Sequence, residues 1–321
     1  MTQSPTEFNI SSYTQELMCY MGQHMVFATA SEVIQTLSGV ELNAKQIERI
    51  CHQYGQWIEE ADLEQIKKKG KECYSKEDSQ AVHYASVDGS MYLTRNKKEN
   101  WKEIKLGRIF KHSNIIELSA TRNTIVESTY VGHLGSHKDF LPKMEYYLDG
   151  LKNVVFIADG AKWIWNWVED SYPNSIQILD FYHAKEHLCE FAKQYYSDEK
   201  HRKDWIEEQT KCLKEQDSSI FIENIENLPI SIKSNVEESK RVLLEYYKNH
   251  KNRMQYKTYL EKGLLIGSGA MEAAHKNVLQ HRLKLSGQRW TMAGLQQMTQ
   301  LRVVYKSNKW NRIIAVRNNL I

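Results

Sequence analysis

Residues 154–179 constrain this fold more tightly than any other part of the chain. VVFIA at 154–158 is an apolar run rich in β-branched side chains, too short for a lone helix, and predicts a buried strand. Asp159-Gly160 ends it. In the next ten residues Trp163 and Trp167, and Ile164 and Val168, recur four apart, which gives a helix one apolar face. Pro173 closes that helix, and SIQIL at 175–179 predicts a second short strand delivering another acid, Asp180. Strand, helix, strand is the unit of an open α/β sheet, where chemistry gathers beyond the carboxyl ends of the strands. Asp159 is placed there either to hold a metal ion or to make a turn, since Asp-Gly is a common turn pair.

Composition narrows the classes. At 321 residues the chain has room for about two domains, and 41% apolar with 26% charged residues describes a globular protein rather than a disordered one. No uncharged apolar run approaches the roughly 18 residues of a membrane span, and residues 1–30 lack the pattern of a signal peptide. Five scattered cysteines without a CxxC pair argue for reduced thiols, a cytoplasmic location and no cysteine-rich zinc module. Charge is uneven. Residues 263–321 hold nine Lys or Arg against one acid, Glu272, a net +8 in a chain of net +3, so the rest is net −5. A basic tail on a near-neutral body suits a polyanion partner, or is a solvated helix face.

Residues 1–80 read as a helical N-terminal domain. An amphipathic helix at 27–37 stops at Ser38-Gly39, and Asn43 with Gln46 three residues on resembles a capping box for a helix through Tyr54. That pair is either a helix-turn-helix, offering Lys45, Gln46, Arg49, His52 and Gln53 to DNA, or a plain αα-hairpin. From Ala81 strand patterns take over. VHYASVDGSMYLTR alternates and pivots near Asp88-Gly89, a favoured hairpin turn. KEIKLGRIF (102–110) and TIVESTYV (124–131) follow as strands, then a helix at 139–151. Three strands, a helix, a strand and a helix, with acids at the first and fourth strands, is the order expected of an RNase H-like α/β fold: a mixed sheet with flanking helices. Residues 188–262 are charged, Gly-free and helical in pattern, an all-helical insertion. After it, Gly267-Ser268-Gly269 starts a helix with Glu272 in its first turn, where an acid also suits the helix dipole or pairs with Lys276. The domains expected are thus 1–80, 81–187 with 263–321 as the core, and 188–262 inserted.

VDGS at Asp88, IADGAKWIW at Asp159, the following LDFYHAKEH, and GSGAMEAAHK with RLKLSGQRW around Glu272 together resemble a DDE-type transposase of a bacterial insertion sequence, over about residues 80–310. The resemblance implies that Asp88, Asp159 and Glu272 bind two Mg²⁺ ions, for which Mn²⁺ can substitute, with Asp88 bridging and each other acid holding one. Two such ions about 3.5–4 Å apart activate the attacking oxygen and stabilise the leaving one. It implies double-stranded DNA as partner, both terminal repeats and target, a homo-oligomer on DNA, no membrane, and a nucleoid-associated protein. Asp180 and His183 match the C/D-x-x-H signature of several such transposases. His183 is then a catalytic residue orienting a phosphate or a metal-bound water, with Asp180 behind it; alternatively it only ties strand to helix. The histidine pair His183/His187 lacks the His-Glu-x-x-His pattern of zinc hydrolases. Lys276, Arg282, Lys284 and Arg289 are candidates to grip phosphates, with Trp290 stacking on a base or packing in the core. Two function classes remain: an active transposase, or a catalytically silent or truncated DNA-binding derivative.

Overall fold

The computed structural model describes residues 10–119, 122–230 and 234–318. The chain divides into two compact units, Met1–Asn153 with Met271–Ile321, and Val154–Ala270. The boundary expected at residue 80 therefore does not coincide with a division of the fold. The N-terminal helices bury Met18, Ile34, Ile47, Ile50 and Tyr54 in the same apolar cluster as Tyr92, Ile104 and Leu106 of the strands and Leu295 and Met298 of a C-terminal helix.

The first unit opens with α1 (Ser12–His24), capped by the Ser11 hydroxyl, which accepts from the Thr14 amide. In α2 (Phe27–Ser38) the chain stops on Gly39 at φ 70°, a left-handed residue that glycine takes without strain. Helix α3 (Ala44–Lys67) starts on the Asn43/Gln46 capping box. It runs well past Tyr54, because Ile58 and Ala61 continue the apolar stripe of Ile47, Ile50 and Tyr54 and all are buried. Gly55 is the point of closest approach: a methyl group there would meet the backbone of Gln297. A short α4 (Lys76–Gln80) leads into the strands.

Strands β1 (Val82–Leu93), β2 (Trp101–Lys111), β3 (Ile115–Ser119), β4 (Arg122–Ile125) and β5 (Thr129–Leu134) precede α5 (His137–Leu148). β1 pairs antiparallel with β2, and β2 with β5. The Asp88-Gly89 pair does not turn the chain. It lies inside β1, with Asp88 opposite Leu106 and Gly89 opposite Lys105. The chain reverses between Leu93 and Trp101 instead, where Asn100 takes φ 51°. Gly89 is kept small by Glu103, whose carboxylate occupies the space a Cβ would need. The single strand expected at 124–131 is split between β4 and β5, and β3–β4 form a separate hairpin.

The second unit contains β6 (Asn153–Ala158), α6 (Lys162–Ser171) and β7 (Ile176–Leu179). The two strands are parallel, Val155 beside Ile176 and Ala158 beside Leu179, so the strand–helix–strand reading of 154–179 holds. α7 (Phe181–Tyr195), α8 (Glu199–Glu215), α9 (Ser218–Glu226), α10 (Ser234–His250) and α11 (Tyr256–Glu261) follow, and the described part of 188–262 is helical without a strand.

α12 (Gly269–Ala274) carries the chain back into the first unit and continues as a π-helical turn, His275–Gln280, then α13 (His281–Leu283), α14 (Met292–Lys306) and α15 (Asn311–Arg317). The β1–β2–β5 strands are covered on both faces. Gly107 admits Phe140 and Met144 of α5 on one side, and Gly132 admits Thr299 and Val303 of α14 on the other. Among the described residues no helix is long and apolar enough to cross a membrane.

Candidate active site

Asp88 sits near the middle of β1, after the buried run His83–Val87, with its own side chain 44% exposed. Its Oδ1 accepts the Gly89 amide at 2.6 Å. Its Oδ2 lies 3.4 Å from Nε2 of His275, a residue that sequence reasoning passed over. His275 is 4% exposed, and that burial holds its imidazole below the ordinary value although Asp88 pulls the other way. Glu272 occupies the first turn of α12, three residues before His275. Glu272 itself is exposed. The spacing to a histidine three residues on was readable in the sequence, but only the fold shows that it matters.

The π-helical turn after Glu272 is held by Arg302 of α14. That guanidinium is 2% exposed and donates to the carbonyls of Val278 at 2.6 Å and Asn277 at 2.5 Å, and to Gln23 Oε1 at 2.6 Å. π-helical turns recur at functional sites because they re-aim side chains.

In the second unit Asp159 follows the last residue of β6. Its Oδ1 accepts the Ala161 amide at 3.0 Å, and its carbonyl accepts Trp165 Nε1 at 2.7 Å, so the turn reading of Asp-Gly is correct as local structure. It does not preclude ligation, because a carboxylate has about four lone-pair sites. Asp180 is fully buried and caps α7: it accepts the His183 amide at 2.8 Å, the Ser268 amide, and faces His183 Nδ1 at 3.2 Å. Burial pushes its carboxyl up, and the hydrogen bonds from His183 and Ser268 more than offset this, leaving it below the usual carboxylate range. The same hydrogen bond raises His183 to about 9, with burial opposing and the Asp180 and Asp159 charges assisting. Raised in this way, His183 is a cation one strand-end away from Asp159. It also does what the plainer alternative requires, fastening β7 to α7. Tyr246 of α10, absent from any sequence motif, lies against the same turn, its ring over Gly160.

The candidate DNA contacts separate by burial. Lys276, Lys284 and Arg289 are exposed, as are Lys45 and Arg49 on α3; Lys45 pairs with Glu48 at 2.7 Å. Arg282 and Trp290 do not face solvent. Arg282 is 1% exposed, donates to the Gly22 carbonyl at 2.8 Å and lies 4.8 Å over the Phe27 ring; burial lowers it to about 10. Trp290 is buried and donates to the Leu283 carbonyl at 3.0 Å. Both belong to the core of the first unit, so neither can grip a phosphate or stack on a base without opening it.

Among the described residues no group of three or more His, Cys, Asp or Glu side chains is arranged to hold a metal ion. The family is decided by the match over residues 32–317, nearly the whole chain, to the model of an uncharacterised protein family, UPF0236. The chain belongs to UPF0236. No curated protein matches the chain. Asp88, Asp159, Asp180, His183 and Glu272 all lie within the matched residues.

Proposed function

We propose that this UPF0236 protein is a DDE-type transposase with an RNase H-like core, cleaving and joining DNA strands at the ends of an insertion sequence. The observation that carries the reading is the meeting of Asp88 with the Glu272–His275 turn. Two stretches nearly two hundred residues apart in sequence meet there, His275 lying 3.4 Å from Asp88 three residues after Glu272. The order of elements supports it: antiparallel strands β1, β2 and β5 with a β3–β4 hairpin between the last two, a helix, a strand ending just before Asp159, a helix and a further strand, then a helical insertion before the third acid.

The donor set suits a hard divalent cation, since Asp88, Asp159 and Glu272 all offer carboxylate oxygens and Asp88 and Glu272 reach solvent. Those three would hold Mg²⁺ or Mn²⁺. When bound, a metal pair supplies activation of the attacking oxygen and stabilisation of the leaving oxygen at phosphorus. The chain's own residues then have distinct tasks. His275 sets the direction of the Asp88 carboxylate. Asp180 keeps His183 protonated, and the imidazolium offsets phosphate charge beside Asp159. Lys276, Lys284 and Arg289 are exposed cations available to the backbone of double-stranded DNA, and Lys45 and Arg49 extend the basic surface. Joining two DNA ends calls for a homo-oligomer on DNA.

Cleavage of a labelled duplex carrying the inverted repeat that flanks the coding region, in Mg²⁺, tests this. Wild type is expected to nick the repeat's end and Asp159→Asn to bind it without nicking. Equal binding with no nicking by either protein would replace the enzyme by the binding-only derivative.

A further inference from the structure

The helical insertion contributes a side chain to the Asp159 turn that no motif announces. Tyr246, on α10, lies so close over Gly160 that a Cβ there would run into the phenol ring. The glycine after Asp159 thus leaves room for this approach. Two ring contacts and the anchoring of its neighbour fix the ring. It stacks on His187 with centroids 3.9 Å apart, meets His250 at 4.8 Å, and its neighbour Tyr247 is fully buried with its hydroxyl donating to the Ala184 carbonyl at 2.9 Å. The Tyr246 hydroxyl is shut off from solvent and has no hydrogen-bond partner among the described residues. Buried hydroxyls are ordinarily paired, because an unpaired one loses its hydration for nothing. Asp159 does not take it, and its Oδ1 accepts the Ala161 amide.

The surroundings indicate the missing acceptor. Burial first, then the charges of Asp159, Asp180 and Glu186, push the phenol well above its ordinary value, so it is a donor and never an acceptor anion. His183, the imidazolium, stands one helical turn before His187 on the face of α7 that carries the stacked ring. A neutral donor and a cation therefore flank the carboxyl end of β6, a combination suited to an anionic oxygen.

We propose that Tyr246 is a substrate-binding residue whose hydroxyl donates to a phosphate oxygen of the DNA strand held at the Asp159 turn. This rests on DNA being the substrate, and gives the helical insertion a direct part in holding it.

The test uses the full-length protein and a labelled duplex of the element's end, in Ca²⁺ to suppress cutting. The duplex is supplied intact and as a series in which single phosphates are replaced by neutral methylphosphonates. Tyr246→Phe is expected to weaken binding of the intact duplex about ten- to a hundredfold, the range for a hydrogen bond to a charged group. At one position the methylphosphonate should weaken wild type and leave Tyr246→Phe unaffected. Without DNA, Tyr246→Phe should melt at the wild-type temperature or a few degrees above it, because the hydroxyl it removes is unpaired. A purely structural tyrosine would instead lower the melting temperature and spare the methylphosphonate pattern; either result overturns the proposal. Unchanged affinity in a Tyr246→Phe protein that still binds and cuts removes only this role. Failure of wild type to bind the duplex at all removes the DNA reading with it.

Discussion

Replacing Asp180 by Asn separates the two things this buried carboxylate does. Asn caps a helix as well as Asp, so its Oδ1 can still accept the His183 amide and α7 keeps its start. The second oxygen becomes an NH₂ facing the Ser268 amide, two donors pointing at each other, and leaving that buried N–H unpaired costs about 1–3 kcal/mol. The charge on His183 is lost as well. Raising an imidazole from 6.5 to about 9 corresponds to about 3 kcal/mol at full value. The imidazole is 38% exposed and solvent screens it, so about 1–2 kcal/mol is the share to expect. Together the variant should lose roughly 2–5 kcal/mol near neutrality. The pH dependence distinguishes the two parts. The raised His183 contributes fully below about 6.5 and ceases to contribute as pH rises through about 9. The depressed Asp180 contributes above about 4 and is lost as pH falls through its lower, folded value. Urea unfolding of both proteins across pH 3–10 should therefore show the largest gap between about pH 4 and 6.5, narrowing on either side but not closing on the alkaline side. Proton NMR should place the wild-type His183 titration near 9 and move it clearly downward in the variant, where burial is opposed only by the Glu186 and Asp159 charges. A wild-type His183 titrating near 6.5, or a stability gap flat from pH 6 to 10, would refute the reasoning.

Other consequences concern packing and surface charge. Gly55→Ala forces α3 away from the Gln297 backbone, which cannot yield as a side chain does, and should cost about 2–4 kcal/mol in denaturant unfolding. Arg282→Met should change the salt dependence of DNA binding little, because the guanidinium is buried, whereas removing Lys284 or Arg289 should each lower the slope of log affinity against log salt by up to about 1. Arg302→Met strips the hydrogen bonds from the π-helical turn; the expected result is loss of nicking beyond the loss of folded protein, read by comparing activity per folded molecule.

The sequence disclosed those parts in which a local pattern and the tertiary environment agree. The 154–179 unit is one case: the apolar run and the four-residue spacing are satisfied by the strand and helix that form. The Asn43 capping box is another. Asp88-Gly89 misleads because its turn propensity is real but weaker than eleven consecutive residue pairings with β2. The same pairings explain why an acid can stand within a strand. Arg282 reads as a surface group from its charge, and nothing local reveals that the N-terminal helices cover it, whereas for Trp290 the core-packing alternative holds. Tyr246 was illegible for a related reason. Its place depends on the docking of α10 on the Asp159 turn, a contact set by the whole second unit.

Manganese titration followed by electron paramagnetic resonance tests the central claim most directly, since it reports on the three acids without requiring the correct DNA. Wild type is predicted to bind two Mn²⁺ ions per chain, with Asp88→Asn, Asp159→Asn and Glu272→Gln each losing at least one of them while remaining folded. Retention of both ions by any one of these variants, or no specific binding by wild type, would contradict it.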